Sequence, residues 1–309
     1  MAMAERYRTF SQFLNEHFDF KVQKISINAG FTCPNRDGTV GRGGCTYCNN
    51  QTFNPAYCTP SRGIASQIEE GKRFFARKYP DMKYLAYFQA YTGTYGELER
   101  LKTLYEEALD EKDVVGIIIG TRPDCLPAGL LDYLQKMAQN KFVLVELGAE
   151  SAHDRTLDLI NRCHTWQQTV DAVHELNSRR IMCGLHMIMG LPEETETMML
   201  ESVDALSHLS IDTVKFHQLQ VVKGTRLAAD LRSGLYDITR FSIDSYIKLC
   251  GEIIRHLSPC IAVERFTSQS PDELLIEPRW GIKNYEFTHR LNSYIDRHNI
   301  QQGEKLLAL

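Results

Sequence analysis

No apolar run in this chain is long enough to cross a bilayer. The longest, at 114–120, has seven residues, whereas a membrane helix needs about 20. The first ten residues, MAMAERYRTF, carry charge and lack the apolar stretch of a secretory signal. Repeats, low-complexity tracts and long Gly, Ser or Pro linkers are also missing, which excludes solenoid and disordered architectures. A strong excess of charge is missing too. The 35 Lys and Arg face 39 Asp and Glu, a net −4, which argues against wholesale wrapping of nucleic acid. The expectation is a cytoplasmic protein without a membrane partner.

The 309 residues, 43% hydrophobic and 24% charged, suffice for one large domain, or one domain with a modest appendage. Charge is uneven along the chain. Residues 1–80 hold 11 Lys and Arg against 6 Asp and Glu. A basic end on an acidic body suits a phosphate-bearing substrate, although solvated faces give such asymmetry by chance.

Strand-like runs alternate with amphipathic helices. Strands are predicted at 22–28, 84–89, 114–120, 142–147, 182–189 and 213–219. Helices fall at 61–79, 96–110, from 127, across 153–179 and at 194–209. In the first helix Ile64, Ile68, Phe75 and Tyr79 share a face; in the second Leu98, Leu101, Tyr105 and Leu109 do. Six strand–helix units predict an α/β fold, a partial (β/α)6 parallel barrel. Its chemistry should collect at the C-terminal ends of the strands. The alternation fades after residue 224. We therefore expect a barrel domain at 1–224 and an extension at 225–309 covering the barrel or the substrate site. The extension carries helices at 241–257 and 282–299, a short strand at 261–264 and an irregular stretch at 265–280. Within it, Arg265, Trp280 and Lys283 are candidates for a substrate lid, with ordinary packing the simpler expectation.

Nine cysteines are many for a reducing compartment, where a disulfide framework is not expected. Cys125, Cys163, Cys183, Cys250 and Cys260 stand singly and read as small core residues. Cys33, Cys45 and Cys48 are different. They lie in a loop, 30–58, directly after the first predicted strand, spaced Cys-x11-Cys-x2-Cys with Gly38, Gly41, Gly43 and Gly44 between the first two. Such glycines allow tight turns and close backbone approach to a metal centre. Two centres fit three thiolates. A structural zinc site closes with a fourth ligand, for which Cys58 is nearest. An iron–sulfur cluster with three thiolates leaves one iron open to a cofactor, and the loop's place after the first strand favours it.

The loop resembles that of the radical S-adenosylmethionine superfamily, where an aromatic residue precedes the last cysteine as Tyr47 does here. The superfamily's usual first interval is three residues. The wider interval is similar to that of the Elongator catalytic subunit and of YhcC/YtqA-type bacterial proteins, whose loop Cys33-Pro-Asn-Arg-Asp-Gly-Thr resembles closely. The resemblance implies a [4Fe–4S] cluster on Cys33, Cys45 and Cys48, with S-adenosylmethionine chelating the open iron. It also implies reductive cleavage of that cofactor to a 5′-deoxyadenosyl radical, which abstracts hydrogen from substrate, and a low-potential donor such as flavodoxin or ferredoxin.

Motifs after the later strands extend the likeness. Gln89-Ala-Tyr-Thr-Gly-Thr94 stands where most members grip the cofactor's amino group, which nominates Gln89, Tyr91 and Thr92, although the usual glycines and acid are replaced. Thr121-Arg122-Pro-Asp124 resembles the Elongator branch; read alone, it is an exposed Arg–Asp turn. Glu146 interrupts an apolar strand, so it must be paired or face a polar cavity. With Ser151 and Arg162 it is implied to contact the cofactor's ribose and methionyl group, Arg162 pairing with the carboxylate. Read alone, Arg162 is a helix surface charge. Gly190-Leu-Pro192 and the following Thr195 match the family's fifth strand, from which His186 points into the barrel as a hydrogen-bonded core residue or near substrate. Lys215, His217 and Gln218 on the sixth strand resemble the adenine side. The substrate is left open. A tRNA wobble uridine follows by analogy with Elongator, a small metabolite or protein side chain is the alternative, and a zinc-stabilised binding module is the reading of another class.

Overall fold

The computed structural model describes residues 6–52, 54–76 and 81–306. Its centre is a seven-stranded, fully parallel, curled sheet, an open half-barrel with helices outside. The strands in spatial order are β1 (Val22–Ile27), β2 (Lys83–Phe88), β3 (Val114–Thr121), β4 (Phe142–Glu150), β5 (Met182–Met189), β6 (Thr213–Gln218) and β8 (Ala262–Arg265). The six expected units are therefore present, and a seventh strand from the extension continues the sheet by pairing parallel with β6. The helix expected at 61–79 runs Ile64–Ala76; Tyr79 lies outside the described residues.

Alternation along the strands divides the sheet into two faces. On β4, Val143, Val145, Leu147 and Ala149 join the main core beneath the outer helices, α3 (Ile64–Ala76), α4 (Leu98–Asp110), α5 (Ala128–Ala138), α7 (Trp166–Ser178) and α8 (Glu196–Ser207). The intervening Leu144, Glu146, Gly148 and Glu150 face the barrel interior. At the barrel's lower end Leu85, Ile118, Leu144 and Ala262 form a second apolar cluster, plugged by Phe13 of α1 (Phe10–His17). That helix starts at a capping box on Thr9 and Gln12. Sequence periodicity gave no warning of it, because the helix is only eight residues long.

β1 and β8 are the two edges of the sheet. The β8 edge is covered by the N-terminal segment, where Val263 N–H donates to the Arg8 carbonyl at 2.8 Å and Thr9 bridges Val263, a standard way to blunt a free edge. In the rest of the extension, α9 (Arg226–Arg232) joins a separate small cluster with Leu219 and Val221, and α10 (Ile243–His256) and α11 (Asn284–Arg297) pack into the main core. The stretch expected to be irregular contains β9 (Leu275–Glu277), paired antiparallel with β7 (Val221–Val222). Short strands at 221–222 and 275–277 carry too few residues for a pattern. Among the lone cysteines, Cys183 and Cys250 are core residues as expected, but Cys260 is exposed in a turn after α10 and Cys163 is only half-buried. Among the described residues no helix is long and apolar enough to cross a membrane.

The β3–β4 pairing depends on Gly116, where an added Cβ would meet the Phe142 carbonyl oxygen at 2.3 Å. We expect Gly116→Ala to lose about 1–3 kcal/mol by overpacking. Urea denaturation checks this, and an alanine variant as stable as the parent would contradict so close an approach.

Candidate functional site

The loop after β1 folds around its own glycines. Cys33 opens a one-turn helix, α2 (Pro34–Asp37), with Pro34 at its first position and Gly38 ending it at φ 95°. Gly41 admits no side chain, since a Cβ would lie 2.2 Å from the Asn35 side-chain oxygen and 2.8 Å from the Cys163 sulfur. Asn35 is fully buried and donates to the Asn161 carbonyl at 2.6 Å and toward the Cys45 sulfur at 3.7 Å. Asn161 in return donates to the carbonyls of Gly44 and Arg42 at 2.8 and 3.1 Å. The loop is thus docked on the segment that follows α6 (Asp154–Leu159), and this docking sets where the thiols lie.

Cys33, Cys45 and Cys48 line one cavity at the C-terminal ends of the strands. Tyr47, Gln89, Tyr91, Thr92, Thr121, Glu146, Arg162 and His186 line it as well, eight of the ten residues singled out as cofactor contacts. The other two are turned to structural bonds. Ser151 donates to Glu194 at 2.5 Å, and the Gln218 amide exchanges hydrogen bonds with Ser268 at 3.0 and 3.1 Å. Lys215 also lies below the lining, in the charge network described next.

Two buried guanidinium groups hold the wall. Arg162 is 7% exposed, so it is no surface charge. It donates to the Gly148 carbonyl at 2.6 Å and to the Cys45 sulfur at 3.4 Å, and stands 3.5 Å from Glu150. A Cβ at Gly148 would collide with it at 2.5 Å. Burial works against its charge, but Cys45, Tyr47 and Glu150 hold its pKa well above the usual arginine value. Arg122 is buried too, against the expectation of an exposed turn. It grips Asp124 through two bonds of 2.8 Å and donates to the Arg162 carbonyl at 2.9 Å. A bidentate pair of this kind fixes both side chains.

Deeper in the barrel, Glu146 accepts from Tyr87 at 2.6 Å, Lys215 at 2.9 Å and Lys24 at 2.8 Å, and bonds the His186 ring nitrogen Nε2 at 2.7 Å. Glu264 pairs with both lysines, standing 3.0 Å from Lys215. Burial would raise the Glu146 pKa, but Lys215, Lys24 and His186 hold it well below the usual value. Burial lowers Lys215, whereas for Lys24 the pull of Glu146 and Glu264 outweighs burial and raises it. His186 is lowered, by burial and then Lys215, against the pull of Glu146. The bond to Glu146 puts a proton on Nε2, so in the neutral ring Nδ1 is an acceptor. Tyr87, His217 and Arg265 line the cavity beside this network. The sequence reading missed Tyr87 and Lys24. Both are polar groups on the inward face of their strands, and that alternation was the available signal.

The wall suits the implied group. It presents three thiols and no fourth; Cys58 turns away, its thiol donating to the Ser26 carbonyl at 2.8 Å, and burial pushes its pKa up to about 12. Two N–H donors reach the Cys45 sulfur. The Thr92 hydroxyl and Arg162 Nε are buried on this wall without a partner among the described residues. Such a donor set fits a three-thiolate iron–sulfur cluster with a polar cofactor beside it, and lacks the fourth ligand of a structural zinc site.

A curled parallel α/β half-barrel with a three-cysteine loop at its open end defines a radical SAM architecture. A model of the radical SAM superfamily matches residues 31–206, a model of the radical SAM C-terminal domain matches 211–297, and the chain belongs to this superfamily. It is similar to YtqA of Bacillus subtilis, with 37% identity over 300 residues, 97% of this chain and 92% of that one. It is also similar to YhcC of Escherichia coli, at 33% over 302 residues, 97% and 96% of the two chains. A tRNA uridine(34) acetyltransferase of Methanocaldococcus jannaschii is 23% identical over 211 residues, 66% of this chain but 36% of that one. Among solved structures, archaeal Methanocaldococcus infernus Elp3 shares the fold with TM-score 0.66 at 17% identity, matching 92% of this chain and 64% of that longer one.

The Glu146 network makes a pH prediction. A carboxylate held below its ordinary value of 4.5 stabilises the fold above that pH, and the contribution fades as pH falls toward the folded-state value. Glu146→Gln should cost about 3–5 kcal/mol at neutral pH, because two buried lysines lose a partner. Its acid-induced loss of stability below pH 4.5 should also be shallower than the parent's. Urea titrations at several pH values measure both, and parallel curves for parent and variant would contradict the assignment.

Proposed function

We propose that this protein is a radical S-adenosylmethionine enzyme in which Cys33, Cys45 and Cys48 hold a [4Fe–4S] cluster. The observation that carries this is that these three cysteines, and no fourth among the described residues, line one cavity together with Arg162, Thr92 and Glu146. When bound, the cluster and S-adenosylmethionine supply one-electron cleavage to a 5′-deoxyadenosyl radical that abstracts a substrate hydrogen atom. The chain's own residues bind and orient. Arg162 takes the cofactor carboxylate, and the unpaired Thr92 hydroxyl gives a polar contact to the cofactor. His186 offers Nδ1 as an acceptor, its ring fixed by Glu146. The apolar plug of Phe13, Leu85, Ile118 and Leu144 shuts water out from below. A flavodoxin- or ferredoxin-type protein delivers the electron, in the cytoplasm.

The substrate we propose is a tRNA, acted on at a wobble uridine. The likeness to the acetyltransferase that acts on tRNA uridine(34) supports this reading, as does the basic segment at 1–80.

Anaerobic reconstitution tests the chemistry. The brown holoprotein should form 5′-deoxyadenosine from S-adenosylmethionine under reduction, and a Cys45→Ser variant should lose both colour and cleavage. A colourless, zinc-containing parent without cleavage would sink the proposal. For the substrate, a deletion strain should lack a modified tRNA nucleoside; an unchanged nucleoside profile alongside an altered metabolite or protein would redirect the assignment.

A further inference from the structure

One cation of the barrel interior lacks a carboxylate of its own among the described residues. Lys24, Lys215 and Arg265 face Glu146 and Glu264, and both carboxylates are taken by the two lysines. Burial lowers the pKa of His186 and His217, His217 most strongly with Arg265 beside it. Arg265 has no hydrogen-bond or ion-pair partner among the described residues, and its Nε is buried. It lines the same cavity as the three cysteines.

Its orientation is built in. The β6–β8 register slips between Val214 and Lys215: Val214 pairs with Val263, but Lys215 pairs with Arg265. Glu264 is the extra residue of a bulge, which breaks the alternation of faces. Neighbouring residues on one strand therefore both reach the interior, Glu264 to the lysines and Arg265 to the cavity. A guanidinium with a buried Nε and no acceptor for it carries a desolvation cost that a bound anion would offset. The singled-out cofactor positions that line the cavity lie in the cysteine loop, just after β2, on β3, β4 and β5 and in the α6–α7 segment, none on β8, which leaves the Arg265 side of the cavity for substrate.

We propose that Arg265 anchors an oxyanion of the substrate, a carboxylate or a phosphate, and that the substrate of this cavity is an anionic molecule. The inference rests on the cavity being the cofactor and substrate chamber. A planar guanidinium takes either group through two parallel bonds, the pairing that Arg265 lacks among the described residues.

The test uses the full chain with its cluster reconstituted and S-adenosylmethionine present at saturation. Equilibrium dialysis against labelled inorganic phosphate, and separately labelled acetate, is run at constant ionic strength. Saturable binding of about one equivalent is expected, weakened about tenfold or more in Arg265→Gln. Arg265→Lys should weaken it less, keeping the charge while losing the fork. The exposed Arg73→Gln should bind as the parent does. Phosphate binding without acetate assigns a phosphate-bearing substrate, and the converse a carboxylic acid. Should Arg265→Gln fail to fold by circular dichroism, the parent-to-lysine difference carries the comparison. Absence of saturable binding overturns the inference, as does binding that Arg265→Gln and Arg265→Lys leave unchanged. Anion binding seen only without S-adenosylmethionine puts Arg265 on the cofactor's carboxylate and overturns it too. Dialysis needs no turnover, so a protein that binds the anion through Arg265 but cleaves no cofactor would refute the radical chemistry alone.

Discussion

One carboxylate holds the inside of this barrel together. Glu146 on β4 bonds directly to side chains from β1, β2, β5 and β6, and through the two lysines reaches Glu264 on β8. An open parallel sheet has no hydrogen bonds between its first and last strands. Here Lys24 of β1 and Glu264 of β8 form an ion pair across that gap, so charge closes the ring where the backbone does not. Buried ions are costly to desolvate. The network tolerates this because Glu146 has four partners and its two nearest cations share a second carboxylate.

The cysteine loop depends on a different lock. Asn35 and Asn161 cross-bond backbone on both sides of the junction, and Arg162, one residue on, touches both the Cys45 sulfur and the Gly148 carbonyl. A small shift of β4 at Gly148 would therefore be transmitted through one rigid guanidinium to a thiol. Arg122 fixes the next link by bonding the Arg162 carbonyl while held by Asp124. The long interval between the first two cysteines is accommodated by α2 and by the close turn at Gly41, whose missing side chain lets Asn35 and Cys163 approach.

The six strand–helix units were legible because each strand is bounded by turn residues and each helix shows one apolar face. The cluster loop was legible because cysteine spacing is a local property. The polarity of Glu146 inside an apolar strand pointed to a cavity, and the strand pairing explains why. What escaped the sequence is non-local or short. Nothing in the run 261–264 says that it will extend the sheet, since pairing with β6 is decided by distant packing. A bulge leaves no composition signal, so Arg265 read as part of an irregular stretch. Ser151 and Gln218 are polar residues at the ends of inward-facing strands, yet their partners Glu194 and Ser268 lie 43 and 50 residues away in sequence.

Bulges break the alternation of faces at two places on the cavity rim, and both lie beside arginines. On β4 the register slips between Gly148 and Glu150, and Glu150 takes a left-handed φ of 68°. That turn brings its carboxylate back to Arg162 rather than outward. On β8 the slip does the reverse, directing Glu264 to the lysines and leaving Arg265 without a hydrogen bond or ion pair among the described residues. A regular strand would place one residue of each adjoining pair outside the barrel. The same kind of backbone irregularity thus gives one arginine a carboxylate from its own strand and leaves another without an ion pair among the described residues. On the β4 side the cavity wall therefore carries an internal ion pair, and on the β8 side a guanidinium that lacks one among the described residues.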